Sequence, residues 1–219
     1  MTSAERERFR YGLRTGLGFG AAAFVVGVSF GVVAEPVMGS WAPIVMSAIV
    51  FAGASQFGVT SVLASGGSAA TAIATGAMLN ARFLPMGLAA AAALRGSRLR
   101  RALEGQTIVD ASWALAARGE RGFDREVMLG ATVPQYPGWV LGTVVGVVAG
   151  GALGDPEALG LDAIFPAFFL GLLAAELRRP RAVPTVLIAG VIALALTPVL
   201  PAGLPVLLAS LAALIGLRQ

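Results

Sequence analysis

Long uncharged runs alternate with short clusters of Arg along this chain. Met1–Arg14 is polar, and Thr15–Ala34 then carries no charge. Wound as a helix, that run spans about 30 Å, the thickness of a bilayer's hydrocarbon core. Ala42–Ala64 is a second uncharged run, and Ser68–Leu94 a third, broken only by Arg82 and Pro85. The basic stretch Arg95, Arg98, Arg100 and Arg101 follows. Ala102–Glu126 is mixed, with Glu104, Asp110, Arg118, Arg121 and Arg125, and reads as an interfacial or partly inserted helix plus loop. Val127–Gly154 is uncharged and punctuated by Pro134 and Pro137. Ala163–Ala175 is apolar between Asp162 and Glu176. Ala182–Leu217 is uncharged again, over about 54 Å if it were one helix, so it is predicted to fold back at Thr197-Pro198 and Leu200-Pro201.

This pattern predicts an all-α fold: a polytopic transmembrane helical bundle of about seven to eight segments, with residues 1–219 as one membrane domain. Composition agrees. Hydrophobic residues make up 57% of the 219 and charged residues 13%, against about 25% charged in soluble domains. A soluble core of this size could not hide so much apolar surface. A cleaved signal peptide ending at Val32-Val33-Ala34 is the rival reading of the first run; the internal repeat favours a retained span.

Charge and residue types then narrow the chemistry. The chain has no Cys and no His, which removes thiol catalysis, thiolate or imidazole metal sites and histidine proton relays. No cofactor, metal or catalytic constellation is expected. Every basic residue is Arg, and the Arg clusters sit beside apolar runs as membrane-flanking charges, not as a nucleic-acid surface. Placing those clusters on the cytoplasmic side puts both termini there too.

The sequence also repeats itself. A shift of 115 residues lays Phe24–Ala52 on Trp139–Ala167 without a gap, with ten identities that include Gly27/Gly142, Gly31/Gly146 and Ala48-Ile49/Ala163-Ile164. Residues 11–101 and 127–217 are therefore predicted as two repeats, joined by the polar segment 102–126, and two spans with a Pro-broken hairpin are expected in each. The orientation of the repeats, parallel or inverted, stays open at this stage. Duplicated halves with broken helices are a device of transporters, which bind substrate near mid-membrane. The stripes Gly12/Gly16/Gly20, Gly27/Gly31 and Gly142/Gly146/Gly150 should be helix contacts.

Three groups of residues are candidates for a site. Ser47 to Phe57, with Phe51, Gly53, Ala54, Ser55, Gln56 and Phe57, is small and polar in mid-run, where a helix break would present backbone groups to a ligand. Asn80 and Arg82 lie in an otherwise apolar hairpin, and an intramembrane Arg costs about 2.5–3.5 kcal/mol, so it is expected to serve a purpose such as holding a carboxylate. Asp110 and Asp162 are the carboxylates best suited to an ammonium group or a coupling proton. Phe51, Phe57 and Phe83 could line an apolar pocket.

The run Phe51-Ala52-Gly53-Ala54-Ser55-Gln56-Phe57 and the downstream Asn80-Ala81-Arg82-Phe83 resemble the AzlC family, large subunits of branched-chain amino acid exporters. The resemblance implies export of valine-like amino acids across a bacterial inner membrane, and a small membrane partner of the AzlD type.

Overall fold

The computed structural model describes residues 1–119, 122–153, 160, 163, 167, 170, 171, 173, 174, 177, 178, 180, 182–200, 205, 208, 209, 211 and 212. Apart from one antiparallel bridge between Ala117 and Phe123, the regular structure among them is helical. The elements are α1 (Ser3–Met38), α2 (Trp41–Val50), α3 (Gly53–Ala64), α4 (Ala69–Asn80), α5 (Phe83–Ala90), α6 (Arg98–Gly105), α7 (Asp110–Ala116), α8 (Arg125–Leu153) and α9 (Ala182–Leu196).

Local sequence sets the helix ends. A capping box starts α1: the Glu5 N–H donates to Thr2 Oγ1 at 3.2 Å, and the Thr2 N–H donates to Glu5 Oε2 at 2.8 Å. Gly39, at φ 74°, ends it in a conformation that favours glycine. Ser68 and Ser97 cap α4 and α6 by accepting from backbone N–H groups one turn in. The predicted first span is enclosed by α1, which among the described residues is the one helix long and apolar enough to cross a bilayer. The shorter α2 and α9 are also apolar. The second and third uncharged runs are each two helices, α2 with α3 and α4 with α5. Thr197-Pro198 does follow the end of α9.

The chain divides into two compact units, Met1–Gly53 with Phe83–Ile164, and Ala54–Arg82 with Phe165–Gln219. In the first, α1 lies along α8 with almost no side chain between them. A Cβ on Gly16 would meet the Ala131 carbonyl oxygen at 2.6 Å, and one on Gly31 would meet the Gly146 Cα at 2.9 Å. Gly12 faces the Val127 backbone, and Gly27 faces Trp139 and Gly142. Each of these partners lies at or near the residue number plus 115. A constant difference means that α1 and α8 run in the same direction; an antiparallel pair would hold the sum constant instead. The glycine stripes are helix contacts, as their spacing suggested.

The mixed segment forms a charged end to this unit. Arg125, at the start of α8, pairs with Glu104 of α6 and with Glu126 at 3.2 Å. Arg100 also reaches Glu104, Arg8 of α1 reaches Asp124 at 3.6 Å, and Arg95 reaches Glu5 at 3.0 Å. The Arg125 hydrogen bond, helped by the Arg95 N–H and the Arg100 side chain, outweighs burial and holds the Glu104 carboxyl at about 2 instead of 4.5. Ala90, Ile108, Ala116 and Met128 form an apolar core in the same unit, with Trp113 and Phe123 packed against it.

In the second unit, α3 and α4 form a hairpin and meet where side chains are small. Gly58 faces Leu79 and Thr75, and Gly76 faces Val59 and Ser55. The first turns of α3 therefore lie beside the last turns of α4.

Candidate functional site

The second uncharged run is interrupted within the window Ser47 to Phe57. The first helix, α2, stops at Val50, Phe51 takes the left-handed conformation (φ 42°, ψ 48°), and α3 begins at Gly53. Gly53, Ala54, Ser55 and Gln56 form the opening turn of α3. Phe51 is the one non-glycine residue with positive φ among those described. That conformation costs an L-residue roughly 1–2 kcal/mol, so its surroundings must hold it there.

They do so through α8. The Trp139 indole N–H donates to Ser47 Oγ at 3.1 Å, and Ser47 Oγ lies 2.8 Å from Thr143 Oγ1. Thr143 Oγ1 also lies within hydrogen-bond reach of the Trp139 carbonyl, at 2.9 Å. Ser47 and Thr143 are fully buried. The Tyr136 hydroxyl donates to the Ala48 carbonyl at 2.7 Å, a group in the last turn of α2, where the helix ends too soon to pair every C=O. The Tyr136 ring meets Phe51 edge-on at 5.1 Å, and Trp139 stacks on Phe30 at 6.2 Å. Pro134 and Pro137 lie inside α8 beside these residues.

Sequence reasoning singled out Ser47 and Phe51 but missed Tyr136, Trp139 and Thr143. Their signal is a stripe in an otherwise apolar run: Thr132, Gln135, Trp139 and Thr143 recur at helical spacing, and all four are buried.

The second unit holds the other polar candidates. Ser55 and Gln56 are buried on α3, together with Thr60, whose hydroxyl donates to the Gln56 carbonyl at 2.9 Å. Thr75 is buried on α4. Phe57 and Asn80 are half-buried, and the Asn80 Oδ1 atom is buried without a hydrogen-bond partner. Arg82 sits in the turn between α4 and α5, half-buried, and its Nη1 donates to the Leu79 carbonyl at 2.9 Å. Asn80 and Arg82 thus share the C-terminal end of α4.

Two further candidates belong to other helices. Phe83 opens α5, and Asp110 occupies the first turn of α7, both in the first unit. Helix starts favour a carboxylate through the dipole, which gives Asp110 a structural reason to be where it is. Asp162 lies outside the described residues. Among the described residues no cluster of carboxylates could hold a metal ion.

The family model for AzlC protein matches residues 18–153, a stretch that includes every candidate above except Asp162. The chain is 30% identical over 148 residues to the protein named Inner membrane protein YgaZ of Escherichia coli (strain K12). That match covers 62% of this chain and 59% of the relative, so it spans less than two thirds of the relative's length. No solved structure matches.

Proposed function

The chain belongs to the AzlC family, and from that premise we propose that it is a membrane protein of the bacterial inner membrane that exports small neutral amino acids, valine-like ones above all. The observation that carries this reading is the interruption at Phe51, where an apolar run that could have been one helix is held apart by hydrogen bonds from α8. A helix that begins inside an apolar segment offers N–H groups and a positive dipole end to an anion. In the mechanism we propose, the first turn of α3, with Ser55 and Gln56, and the Arg82 guanidinium receive the substrate carboxylate. Phe57 faces the aliphatic side chain. Two parallel repeats, of which α1 and α8 would be the matching first helices, move to give alternating access. A small AzlD-type membrane subunit completes the transporter.

Counterflow of radiolabelled L-valine in proteoliposomes, with and without that small subunit, tests the reading. Saturable exchange is the expected result. Flux that rises linearly with concentration would make the chain a channel, and no uptake under either condition would remove the transport reading.

A further inference from the structure

The start of α1 carries two kinds of charge. Arg8 pairs with Asp124 and Glu126, and Glu5 pairs with Arg95. Arg6, Arg10 and Arg14 form no ion pair among the described residues, and all three are exposed. At about 100° per residue, Arg10 and Arg14 both stand roughly 160° around the helix from Gly12, which touches the α8 backbone. They lie on the face opposite α8. With Ser3, Arg6, Glu7 and Tyr11, they line an open groove of about 730 Å³. Glu7 is the one carboxylate of those six residues, against three Arg.

The same face turns apolar within a turn. Leu17, Phe24 and Val25 continue it into the uncharged run and are exposed. With Thr15–Ala34 in the hydrocarbon layer, Arg14 stands at its edge and Arg10 about 6 Å farther out. The headgroup layer on each side is about 5–7 Å deep, so both guanidiniums reach its phosphates. Tyr11 sits between them, at the level where aromatic residues gather in membrane proteins. A ligand that fits this face has an anion at one end and an aliphatic chain at the other. A guanidinium can hold a phosphate through two parallel hydrogen bonds.

We propose that this face of α1 binds an anionic phospholipid, its phosphate held by Arg10 and Arg14 and its acyl chain laid along Leu17, Phe24 and Val25. Arg6 adds to the positive field. Charge chooses the lipid: a zwitterionic headgroup brings its own cation and gains nothing from unpaired Arg. The site needs α1 to cross the bilayer but needs no particular substrate, so it goes beyond the export reading and stands or falls apart from it.

The test is equilibrium binding to the purified full chain in a neutral detergent at low ionic strength. The probes are dioleoylphosphatidylglycerol, dioleoylphosphatidylcholine and inorganic phosphate. Wild type should prefer the glycerol lipid over the choline lipid by a factor on the order of ten or more. Arg10→Gln/Arg14→Gln should weaken the glycerol lipid about tenfold to thirtyfold, at roughly fivefold per Arg lost, and leave the choline lipid unchanged. Arg98→Gln/Arg101→Gln takes the same charge from α6 and should leave both affinities nearly unchanged. Without lipid, the Arg10/Arg14 variant should melt with wild type; a marked fall would give those residues a structural duty and overturn the site. Equal binding of the two lipids by wild type would also overturn it, as would equal losses in the two double variants. Displacement of the glycerol lipid by inorganic phosphate would make the groove a site for a free anion, not a lipid. If the small membrane subunit abolishes the preference when added, the face is a protein interface and the lipid proposal fails.

Discussion

Gly31 and Gly146 face each other across the α1–α8 contact: a Cβ on Gly31 would stop 2.9 Å from the Gly146 Cα, and one on Gly146 would stop 3.0 Å from the Gly31 Cα. The relation is reciprocal along the contact. Gly27 faces the Trp139 carbonyl and the Thr143 N–H, and Gly142 faces the Phe24 carbonyl and the Val28 N–H. Residues that align in the two halves of the sequence are therefore the residues that touch. Two helices that run in the same direction in register produce this pattern, because the sequence offset between touching residues then stays constant along the contact.

The first prediction follows from that spacing. Gly31→Leu or Gly146→Leu places a side chain against backbone, which cannot swing away. The loss should be at least the 1–3 kcal/mol typical of overpacking, read as a fall in melting temperature in detergent. Gly18→Ala on the same helix is the control. No atom lies within 4 Å of its added Cβ, and replacing a helical Gly by Ala should stabilise by up to about 1 kcal/mol. Equal losses at Gly18 and Gly31 would contradict the packing.

Sequence alone reached this interface because small residues at fours leave a periodic trace. It reached the break only approximately. Within the window Ser47 to Phe57, local propensity would favour positive φ at Gly53, since glycine adopts it at no steric cost. The chain bends at Phe51 instead, because the Tyr136 ring and hydroxyl and the Ser47–Trp139–Thr143 hydrogen bonds stabilise a conformation that local propensity disfavours. Those partners are about ninety residues away in sequence, beyond what a local window can read. Asn80 was legible as a residue of interest, but an unpaired oxygen exists only once the packing around it is known.

A second prediction concerns what holds the break. Ser47→Ala leaves the buried Trp139 indole N–H without its acceptor and removes the hydrogen bond between Ser47 and Thr143, and should cost roughly 1–3 kcal/mol. Tyr136→Phe removes one hydrogen bond to the Ala48 carbonyl and should cost about 0.5–1.5 kcal/mol. The Ser47 variant should also shift the indole emission of Trp139, best read with the other two Trp replaced by Phe. Unchanged emission would deny the indole–serine contact.

The third prediction is a pH dependence set by Glu104. Its folded pKa of about 2 lies below the unfolded 4.5, so the carboxylate's stabilising contribution is complete above pH 4.5 and lost as pH falls through 2. The shift corresponds to roughly 3 kcal/mol at most. Wild type should exceed Glu104→Gln in stability at pH 7, with the gap narrowing below pH 4.5 and nearly closed at pH 2. A gap that stays constant from pH 7 to pH 2 would show that Glu104 stabilises by shape and not by charge.

The last prediction is about direction in the membrane. Because α1 and α8 run the same way in register, a bilayer crossed by the pair would have their first residues on one side and their last residues on the other. The Arg clusters agree: Arg6, Arg8, Arg10 and Arg14 crowd the start of α1, Arg118 and Arg125 the start of α8, and neither helix carries an Arg in its last turn. Positive residues favour the cytoplasmic face, so both starts should face the cytoplasm. The absence of native Cys makes the test direct. Ser3→Cys and Arg118→Cys should resist an impermeant thiol reagent applied to intact spheroplasts and react in inverted vesicles, while Ser40→Cys and Gly151→Cys should do the reverse. An inverted pair of repeats would put Gly151 on the same side as Ser3. Labelling of both from one face would therefore overturn the parallel arrangement and the transport cycle built on it.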